Sequence, residues 1–347
     1  MSVPGFDWLP FAWKQDPGAL AFATAVPVIL LIAGLVAPDP QVVDLLFQVA
    51  LWAGIATAWN IMGGFGGQLS LGHSAFYGLG GYAGALSLTG IGLSPILGIA
   101  IGVALAVMLA LVVGLAGLRL RGPFFAMVTF VMGPAFQAIA TNWTRLTGGS
   151  GGVSLPLRGD WTSLIFGNRR IYLFIALGLL AVALYLACRL RYGRTGIHLV
   201  AAGNDPEVAS SLGIPVLRVR LIGIAASAGL TALAGGLAAF YVLFLDPENA
   251  FGAGISIKIV TIAVIGGTSS IVGPLLGAVV LIPIEQFLSN TFAGRIPGLS
   301  GIIFGLLLMF VVLAVPGGMV RIVRRVWSRL SGRSAVGTAA RTGVETS

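Results

Sequence analysis

Two ionisable residues, Lys258 and Glu285, stand inside strongly apolar runs of this 347-residue chain. A charge in hydrocarbon is costly, so an intramembrane ionisable group is a functional candidate by default. Glu285 has three uses open to it: pairing with a buried donor, capping a half-helix, or facing a wet cavity. Lys258 stands near the outer end of its run, where its long stem would let the ammonium snorkel to the interface. A second polar group, Gln68, Ser70, His73 and Ser74, is set among glycines between Gly63 and Tyr82. The glycines permit close backbone approach and an interrupted helix. Such polar side chains either line a path through a broken helix or act as local glue between tightly packed helices. A third segment runs from Asn204 to Pro215. Asp205 suits an N-cap, Pro206 the first helical position, and Glu207 the first turn. Gly213 suits the position just past the helix and Pro215 prevents continuation. The segment therefore predicts a helix of about seven residues, Pro206–Leu212, bounded at both ends. It is either a plain loop helix or a grip for a partner.

Other chemistries are excluded by what the chain lacks. Its two lysines, Lys14 and Lys258, do not follow glycine, so no G-x-x-x-x-G-K-[ST] phosphate loop exists. Cys188 is the single cysteine, which rules out an internal disulfide or a cysteine-clustered metal site. The two histidines, His73 and His198, have no zinc spacing. A proton pump would want several membrane carboxylates in relay, and Glu285 is the central one here.

The elements that must position these residues follow from composition. Hydrophobic residues make up 57% of the chain and charged residues 9%, against about 25% charged in a soluble domain. A soluble enzyme, a disordered chain and a disulfide scaffold are excluded, leaving an all-α polytopic membrane protein. Ten apolar runs are expected to span: 19–37, 42–62, 66–88, 96–118, 124–141, 171–188, 221–245, 255–268, 272–288 and 299–315, with eight to eleven as the range. Run 66–88 is glycine-rich enough to be broken or re-entrant, and 255–268 and 272–288 are short. Residues 1–18, carrying Phe6, Trp8, Leu9, Phe11 and Trp13, suggest an interfacial segment. The transmembrane region covers 19–320, with a cytoplasmic loop at about 189–220. A basic tail occupies 321–347, its end small, polar and expected to be disordered. The segment before the first run lacks a basic cluster, so a cleaved signal peptide is not expected.

The net charge of +9 fits basic loops that hold membrane helices in place. No basic stripe is interleaved with aromatics, so nucleic acid is not an expected partner. With ten spans, Lys14, Arg119, Arg121, Arg189, Arg191, Arg194, Arg218, Arg220 and the six tail arginines share one side. That is 14 of the 20 basic residues, and it predicts that both termini are cytoplasmic. Leu146–Val153, with glycine at 148, 149, 151 and 152, would be a flexible stretch of the longest outer loop.

Five stretches in order resemble the permease subunit of branched-chain amino acid ABC importers of the LivM type, in the HAAT family. Gly66-Gly67-Gln68-Leu69-Ser70-Leu71-Gly72-His73-Ser74-Ala75-Phe76 is similar to the G-x-x-S-L-G-H-A-A-F signature. Arg121-Gly122-Pro123-Phe124-Phe125-Ala126 through Thr129 resembles R-G-x-Y-F-A-x-x-T. Asn142-Trp143 through Thr147-Gly148-Gly149-Ser150-Gly151-Gly152 resembles N-W…T-G-G-S-x-G. Arg191-Tyr192-Gly193-Arg194, and Gly266-Gly267 leading to Gly273-Pro274, also fit. The resemblance runs from about Asn60 to Val320, and it makes 19–320 the transmembrane permease domain.

The resemblance also implies that the central loop is the EAA-type coupling helix that docks into an ATPase. Its contact residues would be Pro206, Glu207, Val208, Ala209, Leu212 and Gly213. Val208 stands where the family has alanine, and Ser210 and Ser211 where it often has acidic residues. Gln68, Ser70, His73, Ser74 and Glu285 are the translocation-path candidates. The implied partners are a second related permease, two cytoplasmic ABC ATPases carrying ATP and magnesium, and a periplasmic or extracellular substrate-binding protein. No catalytic residue, metal or cofactor is expected in this chain. The implied location is the bacterial inner membrane, and the implied substrate a branched-chain or related small amino acid. Relatives of this type also take urea, short amides or other amino acids, and no residue here discriminates among them. The competing class is an autonomous secondary transporter or channel, which would need a coupling-ion site. A membrane enzyme lacks any constellation of base, nucleophile or metal ligands.

Overall fold

The computed structural model describes residues 17–117, 123–156 and 163–292, with isolated positions from 302 to 320. Residues 1–16 of the expected interfacial segment, most of the expected span 299–315 and the tail 321–347 lie outside the described residues, as do Arg119 and Arg121.

Helices dominate. We number them α1 Pro17–Val36, α2 Pro40–Asn60, α3 His73–Leu86, α4 Pro95–Gly117, α5 Pro123–Asn142, α6 Arg169–Tyr192, α7 Arg194–Asn204, α8 Pro206–Ser211, α9 Val216–Val242, α10 Pro247–Phe251, α11 Ala253–Gly266 and α12 Gly273–Phe292. Among the described residues, seven stretches are long and apolar enough to cross a membrane: α2 with its extension to Phe65, α4, α5, α6, α9, α10 with α11, and α12. α1 supplies a shorter apolar stretch, Ala21–Val36. The two short runs, 255–268 and 272–288, both belong to elements of 20 residues. Run 66–88 is broken: a non-helical segment, 66–72, precedes α3.

Local chemistry sets the ends. Asp39 caps α2 by accepting from the Gln41 N–H at 2.9 Å, with Pro40 in the first turn. Asn168 does the same for α6 through the Arg170 N–H. Arg189 and Arg191 in the last turn of α6 complement its dipole.

Packing follows the membrane rule that small residues face helices and large ones face lipid. α4 is the clearest case. Gly98, Gly102, Ala106, Ala110 and Gly114 recur every fourth residue on its buried face, while Ile96, Leu97, Ile101 and Met108 lie exposed.

α9 is central, packing on α3, α4 and α2. It runs parallel to α3, with His73 beside Ser227, Gly80 beside Ala232 and Gly84 beside Phe240. A Cβ at Gly80 would collide with the Ala232 carbonyl, and one at Gly235 with the Tyr77 carbonyl. The α11–α12 hairpin is equally tight, since a Cβ at Gly277 would meet the Ile262 carbonyl.

The Gly148–Val153 loop is not loose. A helical turn at Thr144–Thr147 leads to strand β1, Val153–Ser154, which pairs antiparallel with β2, Phe244–Leu245, after α9. Val153 faces Leu245 in that register, so this loop is tied to the end of the central helix.

Candidate functional site

The non-helical segment 66–72 follows an end of α2 that is distorted and anchored. A π-helical turn, Ile61–Phe65, closes α2, a device frequent at functional sites. Asn60 holds the turn between α11 and α12: its amide donates to the Ser270 carbonyl at 2.8 Å, and its oxygen accepts from the Ser269 N–H at 3.1 Å. Trp59 Nε1 donates to the Ser70 carbonyl at 2.7 Å, and the Leu71 N–H donates to Thr129 Oγ1 at 3.0 Å. These bonds satisfy backbone groups that no helix serves.

Gln68, Ser70, His73 and Ser74 are all buried, with His73 and Ser74 at 0% exposure. His73 Nε2 and Ser227 Oγ lie 2.7 Å apart, and Nδ1 lies 3.4 Å from Ser70 Oγ. The Ser74 N–H donates to Ser256 Oγ at 2.9 Å, while the Ser74 hydroxyl has no partner among the described residues. In the amide orientation that satisfies both groups, the Gln68 oxygen accepts from both Arg220 Nη atoms at 3.0 Å. The four thus face protein rather than lipid. At zero exposure His73 and Ser74 adjoin no water-sized space in this structure, and their hydrogen bonds link α3 to α9 and α11.

Arg220 is the residue that sequence reading misses, because it counts with the loop arginines. It lies in the first turns of α9, buried, and also donates to the Ala202 carbonyl at 2.9 Å. A guanidinium at the start of an apolar run is the available signal. Ser227 and Ser256 give none, because their partners are 154 and 182 residues away.

The charged pair is arranged differently. Lys258 on α11 is paired across to the next helix. Its ammonium meets Glu285 Oε2 at 2.6 Å and Oε1 at 2.8 Å, across to α12. It also lies 4.3 Å from the centre of the Trp52 ring, inside cation–π range. Both charges border a cavity of about 470 Å³, whose wall includes Trp52, Tyr77, Gln137 and Glu248. Of the five path candidates, the structure places Glu285 on a cavity. No cluster of metal-ligating side chains occurs among the described residues.

On the far side of the fold, α8 is capped as its sequence predicts. Asp205 accepts from the Glu207 and Val208 N–H groups at 2.9 and 3.0 Å. The helix covers Pro206–Ser211, with Leu212 as its C-cap. The Ile214 N–H returns to the Ala209 carbonyl and the Gly213 N–H to the Ser210 carbonyl, with Gly213 at φ 81°. This is the Schellman arrangement, which needs a left-handed residue at that position. Glu207 is exposed, as are Val208 at 55% and Leu212 at 75%. Ala209, expected on the docking face, is instead buried at 2% within the chain. α8 packs on α7, and α7 reaches the broken span: a Cβ at Gly67 would lie 2.5 Å from the Gly203 carbonyl oxygen. A bounded helix with exposed aliphatic and acidic side chains, joined through α7 to a broken membrane span, suits transmission of a push from outside the membrane.

Residues 41–312 match the family described as branched-chain amino acid transport system / permease component. The chain belongs to this family. Among curated relatives, the high-affinity branched-chain amino acid transport system permease protein LivM of Salmonella typhimurium is 28% identical over 271 residues, 72% of this chain. The chain spans 64% of that relative's length. LivH of the same organism is 27% identical over 288 residues, 77% of this chain and 90% of LivH. The xylose/arabinose import permease protein XylH of Sulfolobus acidocaldarius is 37% identical over 106 residues, 29% of this chain and 30% of XylH. No solved structure matches the chain. The family match covers α2 through α12, and so contains the broken span, the charged cavity and α8.

Proposed function

We propose that this chain is the non-catalytic permease subunit of an ATP-binding cassette importer that moves branched-chain or related small amino acids inward across the bacterial inner membrane. A second related permease completes the path. Two cytoplasmic ATPases bind ATP and magnesium and supply the work, and an extracytoplasmic binding protein delivers substrate. The observation that carries this reading is α8: Val208 and Leu212 are exposed beside Glu207, on a helix fixed at both ends. An exposed aliphatic pair on the cytoplasmic side suits a partner's cleft, and the partner here is the ATPase.

Closure of the ATPases would move α8 and α7. The Arg220 guanidinium grips both the Ala202 carbonyl and Gln68, so movement of α7 reaches the non-helical segment 66–72. That segment has no internal helical ladder to break, which makes it the element able to change shape while α3 and α9 stay locked.

Ten crossings with both termini cytoplasmic remain our reading of the topology. It is supported by Gly318, which lies back beside Gly267 at the turn where α12 begins. Reporter fusions at Ser347 and within Gly148–Gly152 are expected to mark opposite sides, and the same side for both would refute the count.

The functional test is copurification and reconstitution. Coexpression with its partner subunits is expected to yield a complex whose ATP hydrolysis rises with binding protein and which accumulates leucine in proteoliposomes only with ATP. Uptake driven by an ion gradient without any ATPase would favour the autonomous transporter.

A further inference from the structure

The Lys258–Glu285 pair is unusual for a structural staple. An ion pair removed from water needs its remaining donors and lone pairs satisfied to break even. Here the side chains stay 24% and 34% exposed, and the exposure is to a cavity of about 470 Å³. That volume falls in the range of small-molecule sites. The rest of the wall divides by chemistry. Trp52 and Tyr77, stacked on each other at 6.3 Å between ring centres, are mostly buried and bring only the rims of their rings to the wall, and Gln137 and Glu248 offer polar groups. Glu248 lies in α10, in the outer loop that leads into α11.

We infer that this cavity is a transient binding site for the charged head of a free amino acid, with Lys258 receiving the α-carboxylate, Glu285 the α-ammonium, and the rims of the Trp52 and Tyr77 rings the aliphatic side chain. This deepens the proposed function and rests on it. The chemistry is an exchange of partners. A zwitterion inserted between Lys258 and Glu285 leaves every charge with a counter-charge, so opening the protein's own pair strands neither group. A neutral amide or sugar offers no such compensation, and a monocation or monoanion satisfies one side and strands the other. When the solute leaves, the pair closes again, which keeps affinity low, as a path requires. Trp52, 4.3 Å from the ammonium, holds the lysine in place through both states.

The test uses the complete importer in proteoliposomes, with L-leucine as the probe and the variant Lys258→Met/Glu285→Gln, which removes both charges together and strands neither. We expect binding-protein-stimulated ATP hydrolysis to stay within about twofold of wild type, while ATP-dependent leucine accumulation falls at least about tenfold. Undiminished accumulation by the variant would overturn the site and leave the proposed function standing. Loss of assembly and ATP hydrolysis along with transport would also overturn it, by making the pair a staple between α11 and α12. A wild-type importer that accumulates a neutral solute such as urea, but no amino acid, would overturn the site and the substrate class together. No ATP-dependent accumulation of any solute would remove the proposed function itself.

Discussion

The polar groups around His73 and those around Glu285 share helices yet differ in what adjoins them. Ser256 and Lys258 are two residues apart on α11. Ser256 is buried and accepts from the Ser74 N–H, whereas Lys258 borders an open cavity. Around His73 the side chains pair with Ser70 and Ser227, the Ser74 hydroxyl is left without a partner among the described residues, and His73 and Ser74 have no exposed surface. Around Glu285 the charges are paired but one face of the pair is unoccupied by protein. Polarity within a membrane span is therefore a poor guide to a path by itself.

This contrast can be broken by substitution. The largest effect is expected where backbones touch. Gly235→Val places a side chain against the Tyr77 carbonyl, and neither helix can shift without opening the α3–α9 seam. Monodisperse protein should be nearly lost, whereas Gly178→Ala, with open space around it, should express normally. Next, His73→Leu removes the partner of buried Ser227 and should cost about 1–3 kcal/mol, the usual penalty for an orphaned buried group. Thermal unfolding in detergent should occur at lower temperature, with uptake per folded molecule largely kept. A stable His73→Leu protein that has lost uptake would move His73 back onto the path and erase the distinction drawn here. A smaller effect is expected for Asp205→Ala, which deletes two capping bonds to α8 and should cost the helix about 1 kcal/mol. It should weaken ATPase coupling without altering thermal unfolding of the membrane region.

What is legible in the sequence is local. The cap, proline and glycine around Pro206–Ser211 are neighbours in the chain, so the helix ends and the positive φ at Gly213 can be read directly. The break in 66–88 is visible for the same reason, since glycines and polar residues cluster there. Side-chain direction is less accessible. The sequence puts Ala209 on the docking face, but its small side chain is the one that lets α8 sit close on the fold. Long-range pairing is not accessible at all. Lys258 reads as a snorkelling lysine because no short spacing links it to Glu285, 27 residues on and in another helix. The cavity wall draws on α2, α3, α5, α10, α11 and α12, and no pattern in one segment announces it.

The proposed transmission of ATPase work into the membrane through α8 is the point on which the rest depends. The most direct measurement is binding-protein-stimulated ATP hydrolysis and leucine uptake by the reconstituted importer carrying Gly213→Val or Glu207→Arg. Valine at φ 81° strains the turn by about 1–2 kcal/mol, the usual left-handed penalty, and tilts the helix. Arginine at 207 reverses the charge on the exposed face. Both proteins are expected to insert normally, and both to lose stimulated hydrolysis and uptake together. Wild-type hydrolysis and uptake in both variants would contradict the coupling role and return the autonomous transporter to consideration.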